Sequence, residues 1–106
     1  MSRQFRRFEI LLPQCFNDGS AVPQSAFEET LRELQERFGG VSAETQDIQG
    51  YSVHRDRPFK DDLVRLYVDV PDTTENRQYF VALKEVLKQR FQQVEIWIAT
   101  HPVEIL

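Results

Sequence analysis

Two stretches of the chain carry the same mask of apolar and polar positions. Phe27, Leu34, Arg37, Phe38 and Val41 recur fifty-three residues later as Phe80, Leu87, Arg90, Phe91 and Val94. Within each stretch the apolar positions fall three or four apart, which gathers them on one side of a helix, and an apolar run follows. The pattern predicts a duplicated unit in which an amphipathic helix runs into a strand.

The remaining elements follow from period and punctuation. Phe8, Ile10 and Leu12 alternate with other residues, predicting a first strand over Gln4 to Leu12 that Pro13 ends. Gln14 to Val22 contains Asn17-Asp18-Gly19-Ser20, a run of turn formers, and is expected to be a loop. Pro23, and Ser25 with Glu28 three residues on, both suit a helix start. The stripe Phe27, Leu31, Leu34 and Phe38 then runs to Gly39-Gly40, where glycine permits a left-handed cap.

Val41 to Val53 alternates weakly and is rich in Glu44, Gln46, Asp47 and Gln49, so it reads as a polar edge strand. His54 to Asp62 reads as a charged turn around Pro58. Leu63 to Val70 is the clearest strand, with Val64, Leu66, Val68 and Val70 on one face and Leu63, Arg65, Tyr67 and Asp69 on the other. Asp72 with Glu75 offers a cap for a second helix from about Thr73 to Phe91, whose stripe Phe80, Leu83, Leu87 and Phe91 is widened by Tyr79 and Val86. Val94 to Ala99 is the last predicted strand, with Val94, Ile96 and Ile98 inward, Glu95, Trp97 and Ala99 outward, and Pro102 as its stop. The tail from Val103 to Leu106 is free to extend the sheet or to add to a partner's sheet edge.

The order βαββαβ, with right-handed crossovers, gives a four-stranded antiparallel sheet with two helices on one face. The expectation is therefore one domain over residues 1–106, an α+β two-layer sandwich of the ferredoxin-like kind. A chain of 106 residues with 41% hydrophobic and 28% charged residues can fill such a core without disulfides or a structural metal. Its single cysteine, Cys15, has no basic neighbour to activate it. Arg3, Arg6 and Arg7 precede only a short apolar run, too short for a signal sequence or a membrane span, so a cytoplasmic chain without membrane contact is expected. A net charge of -4 opposes binding to nucleic acid, which requires neutralising phosphates. The third-strand segment Leu63-Val64-Arg65-Leu66-Tyr67-Val68-Asp69-Val70 also lacks the glycines and paired aromatics of an RNA-recognition strand.

Candidate chemistry lies where the halves differ. Helices on one side leave the other sheet face open, and Leu11, Arg65, Tyr67, Glu95 and Trp97 are assigned to it. That set is too aromatic for a purely solvated surface, and predicts either a homodimer contact or a small-molecule pocket lined by Tyr67 and Trp97. For proton transfer the candidates are His54, Tyr67 and Asp61, with His101, Asp62 and Tyr51 as further ingredients; His54 and the aspartates flank one hairpin, where a carboxylate can hold an imidazole as general base. No spacing of His and Cys fits a metal site, no phosphate loop or nucleophile motif is present, and no cofactor is expected.

Phe16-Asn17-Asp18-Gly19-Ser20, Phe38-Gly39-Gly40-Val41, Val68-Asp69-Val70-Pro71-Asp72-Thr73 and Glu95-Ile96-Trp97-Ile98 carry a resemblance over the whole chain. In these segments it resembles a group of small bacterial proteins of uncharacterised function. That resemblance implies no activity and no catalytic residues. The organisation is also similar, at the level of fold, to the dimeric α+β barrel proteins, which include small monooxygenases and decarboxylases. The expectation is a homodimeric binding or regulatory module without catalysis of its own; the alternative is a small-molecule enzyme of the dimeric barrel type, and a remote alternative is an RNA-binding βαββαβ module.

Overall fold

Alternating apolar residues build the sheet that the helices cover. The computed structural model describes residues 4–44, 48–54 and 57–106, and of 48–54 and 57–62 the backbone alone. Its elements in chain order are β1 (Phe5–Pro13), α1 (Gln24–Phe38), β2 (Ser42–Ala43), β3 (Ile48–His54), β4 (Arg57–Pro71), α2 (Thr74–Arg90) and β5 (Trp97–Val103). The sheet is antiparallel in the order β2-β4-β1-β5, with β3 paired to the far part of β4. Taking β2 and β3 as one interrupted strand gives the expected ferredoxin-like order.

The core lies between the sheet and the helices. Phe8, Ile10 and Leu12 of β1 and Leu66, Val68 and Val70 of β4 are buried against Leu34 of α1 and Phe80, Leu83 and Leu87 of α2. The repeat accounts for how the helices meet. Phe27 of α1 stands edge-on to Phe91 at 5.2 Å, and its repeat partner Phe80 stacks on Phe38 at 5.5 Å. Each helix thus sets its first phenylalanine on the last phenylalanine of the other unit, as a local two-fold requires. Leu34 and Leu87, also repeat partners, are wholly buried, and truncating either to alanine is expected to cost about 2–5 kcal/mol.

The repeated arginines tie the same two helices. Arg37 lies 4.3 Å over the Tyr79 ring and 3.7 Å from Glu75, both on α2. Arg90 reaches back to α1, donating to Glu33 at 2.8 Å and to the buried Thr30 hydroxyl at 2.8 Å, while that hydroxyl donates to the Ala26 carbonyl. Helix α1 is capped by Gly39 with φ 84°, while α2 is capped by Phe91 and the next residue, Gln92, has φ 54° at the position of the repeat equivalent to Gly39. At Gln92 a side chain occupies the left-handed conformation that glycine adopts at no steric cost.

Several expectations are corrected. Pro102 does not end the last strand: β5 begins at Trp97 and passes through Pro102 to Val103. It is an edge strand, where a missing N–H need cost no ladder bond. The repeat breaks at Val94, which precedes β5 and is 90% exposed, so it is not a core residue as its partner Val41 is in part. Val86 is likewise exposed and does not widen the α2 stripe.

Helix α2 is capped by Thr73, whose hydroxyl accepts from the Asn76 amide; Asp72 instead pairs with Arg6 and Arg77. Helix α1 starts after Pro23 with no side-chain cap, so the Ser25 and Glu28 box is not made. The charged segment expected to be a turn is mostly strand: β3 and β4 form a seven-pair ladder from Ile48↔Leu63 to His54↔Arg57. Gln46 and Asp47, expected in an edge strand, and the tip of this hairpin lie outside the described residues.

Candidate functional site

The sheet face turned away from the helices is ordered in cross-strand rows. One row is Arg65, Leu11 and Trp97; the next is Tyr67, Glu9 and Ala99; the third is Asp69, Arg7 and His101. Arg7 donates to both oxygens of Asp69, at 2.8 and 3.0 Å, and its guanidinium carbon lies 4.5 Å from the centre of the Tyr67 ring. The hydrogen bonds to Asp69 hold the Arg7 guanidinium above its ordinary pKa, keeping it charged. Arg65 pairs with Glu44 at 3.3 Å through one terminal nitrogen, while its buried Nε–H has no partner. Such an unmet donor is uncommon in a finished structure.

At one end this face turns into a cleft of about 440 Å³. The residues between β1 and α1 form one side, folded back by the Cys15↔Ala21 bridge and a turn in which the Gly19 amide donates to the Phe16 carbonyl. Asp18 closes that turn by accepting from the amide and hydroxyl of Ser20, and the hydroxyl bond holds its carboxyl below the ordinary range. Phe16 and Asn17 are thereby carried to the cleft. The segment between α2 and β5 forms the other side, where the left-handed Gln92 lets the Gln93 amide bond to the Lys88 carbonyl at 2.8 Å.

Apolar side chains of Leu11, Pro13, Phe16, Leu63 and Ile96 line the cleft, with Trp97, 52% exposed, as a wall. Its polar lining comes from Asn17, Gln93 and Glu95. The Glu95 carboxylate accepts from Lys84 at 2.8 Å and from the Ile96 amide at 3.0 Å, and the lysine bond holds it below the ordinary pKa. It is therefore an anchored anion at neutral pH.

The sequence-derived residues thus divide. Leu11, Arg65 and Trp97 share a row, Tyr67 lies in the next, and Glu95 leaves the sheet face to bind α2 while lining the cleft with Leu11 and Trp97. Tyr67 does not line that cleft; it borders a separate hollow beside Gly39 and Gly40. The backbone of His54 pairs with Arg57, ten residues along β4 from Tyr67, roughly 30 Å at strand rise. Asp61 pairs with Gly50, four rungs from the His54 pair; the side chains of His54, Tyr51, Asp61 and Asp62 lie outside the described residues. Phe16, Asn17 and Gln93 were missed by sequence reasoning. The Asn17-Asp18-Gly19 signal marked the loop of Phe16 and Asn17 but not what it folds toward, and no local signal marked Gln93.

Among the described residues no helix is long and apolar enough to cross a membrane. No protein-family model matches the chain. No curated protein matches it either. Among solved structures it is similar to CutA from Synechococcus elongatus, at 9% identity and TM-score 0.61 over 96% of this chain and 79% of that one. A phage SAM lyase in complex with S-methyl-5′-thioadenosine is similar at 12% identity and TM-score 0.65, over 99% and 92%. A Bacillus cereus protein related to NIF3 is similar at 10% identity and TM-score 0.61, over 99% of this chain and 27% of that one. At these identities the likeness establishes the shared fold, a small α+β domain of ferredoxin-like order.

Proposed function

We propose that the protein is a homodimeric binding module without catalysis of its own, in which two copies pack their open sheet faces. The observation that carries this reading is the row Arg65, Leu11 and Trp97, which sets a leucine and an indole beside a paired arginine on the sheet face opposite the helices, covered by no other described element. Of the charges beside it, Arg7 is paired with Asp69 and Arg65 with Glu44, so covering these strands neither partner. Glu9 in the next row makes no ion pair among the described residues, and a second copy must meet its carboxylate with a donor.

Sedimentation tests the reading through Tyr67→Lys. The new ammonium faces Glu9 across the ladder but also lies beside Arg7, so circular dichroism first establishes that the variant is folded; in the proposed interface it is a buried charge. Wild type sedimenting as two chains at tens of micromolar and Tyr67→Lys as one supports the proposal; a wild-type monomer at that concentration defeats it.

A second reading, chemistry on a small molecule, is favoured by the 440 Å³ cleft and by the likeness to the phage SAM lyase. It predicts that incubation with S-adenosylmethionine yields S-methyl-5′-thioadenosine, read by chromatography. No product above the spontaneous rate would leave the first reading standing alone.

A further inference from the structure

The cleft differs from the open sheet face in its chemistry. A volume of about 440 Å³ falls within the range of small-molecule sites. Its apolar lining and exposed indole suit a flat ring, because stacking on an aromatic wall needs a π-face and little else. Its polar lining is rich in acceptors: Gln93 donates its side-chain amide to the Phe91 carbonyl at 3.1 Å, which leaves its own oxygen to accept, and Glu95 is anionic. At Gln93 and Glu95 a ligand is met by acceptors, which suit an exocyclic amine or sugar hydroxyls, while the Asn17 amide both donates and accepts; carboxylates are established acceptors of ribose hydroxyls. Among the described residues no lysine, arginine or histidine lines the cleft, and Glu95 carries the charge of that lining. Lys84 and Lys88 approach Glu95 but are not among the lining residues. Phosphate would find a carboxylate where it needs a cation.

We infer that the cleft between the Phe16–Asn17 turn and the Gln93–Glu95 segment binds an uncharged nucleoside, with the base against Trp97 and the donor groups on Gln93 and Glu95, and that it discriminates against nucleotides. This rests on the reading of the protein as a binding module and adds the class of ligand. The cleft shares Leu11 and Trp97 with the row proposed for the dimer, so a second copy and the ligand compete for the indole, whereas Phe16, Asn17 and Gln93 line the cleft alone.

The test is titration of the full chain with adenosine, AMP, ATP and choline, followed by fluorescence of Trp97, the sole tryptophan, and by calorimetry. Adenosine is expected to quench saturably, and AMP to bind more weakly by up to about fivefold, the effect of one unpaired unit charge near 4 Å in water, part of which Lys84 offsets. Glu95→Gln, a substitution at an exposed ion pair that leaves the fold intact, is expected to narrow the gap between adenosine and AMP. Trp97→Ala is expected to lose at least about fivefold in calorimetric affinity, the low end for a base stacked on an aromatic ring.

No saturable response to adenosine, ATP binding as tightly as adenosine, or binding of choline alone would each overturn the inference. Tyr67→Lys separates the two proposals. If it proves monomeric, its indole is open to a ligand: saturable adenosine binding by this variant supports the site, and no binding by it overturns the ligand class while the dimer remains.

Discussion

Gln92→Gly is expected to stabilise the protein, although it removes a side chain and adds no contact. Gln92 holds φ 54° at the end of α2, where the repeat-equivalent residue of α1 is Gly39 at φ 84°. A left-handed conformation costs a residue with a Cβ about 1–2 kcal/mol. Glycine avoids that cost but loses about 0.5–1 kcal/mol through the greater freedom of its unfolded chain. The balance is a gain of about 0.5–1 kcal/mol, because the exposed Gln92 side chain contributes little packing.

Gly39→Ala is the mirror experiment. A Cβ built there meets nothing within 4 Å, so its expected loss of about 1 kcal/mol is a backbone effect alone. Equilibrium urea unfolding at one fixed protein concentration, which removes the contribution of self-association, measures both. In a chain of 106 residues a change of 1 kcal/mol corresponds to about 4–8 °C in Tm. A Gln92→Gly variant less stable than wild type, or a Gly39→Ala variant of unchanged stability, would refute the reasoning.

Other expectations are simpler to measure. Arg90→Ala should destabilise by about 2–3 kcal/mol in the same unfolding assay, because it leaves the buried Thr30 hydroxyl and Glu33 without their shared donor. Val94→Ser should change stability by less than about 0.5 kcal/mol despite its place in the repeat, since the side chain lies in solvent. Asp72 has its pKa lowered by the hydrogen bond from Arg77 and then by Arg6, so its contribution is fully present above the unfolded value and is lost as pH falls through the folded one. Thermal stability should therefore decline below about pH 4, and Asp72→Asn should make that decline shallower.

The helices and inner strands were legible because their signals are local. The stripe from Phe27 to Phe38 and the alternation from Val64 to Val70 each bury one side, and the structure places both against the core. Pro102 misled because a proline excludes a residue from a central strand but not from an edge, and edge position is a property of the whole sheet. Val94 misled because the repeat in sequence continues one residue past the repeat in structure. The ladder of β3 and β4 was hidden by charge. A two-stranded ribbon has no side that must be apolar, so Arg57 to Asp62 carried no alternation to read.

The site was legible only in part. Leu11 and Trp97 follow from strand parity, which sequence supplies, whereas the placement of Asn17 and Gln93 depends on two loops converging. Glu95 was assigned by parity to the open face, but it precedes β5, and Lys84 and Lys88 draw its carboxylate to α2.

Emission from Trp97 tests the central claim most directly, because sedimentation reports that copies meet and this indole reports where. It is half exposed in the single subunit and stands in the row proposed to be covered. At tens of micromolar and without added ligand, the account predicts blue-shifted emission shielded from acrylamide. Dilution should shift it red across the concentrations at which the dimer dissociates, and Tyr67→Lys should remain red throughout. Red, freely quenched emission from a sedimenting dimer would place the interface elsewhere and contradict the account.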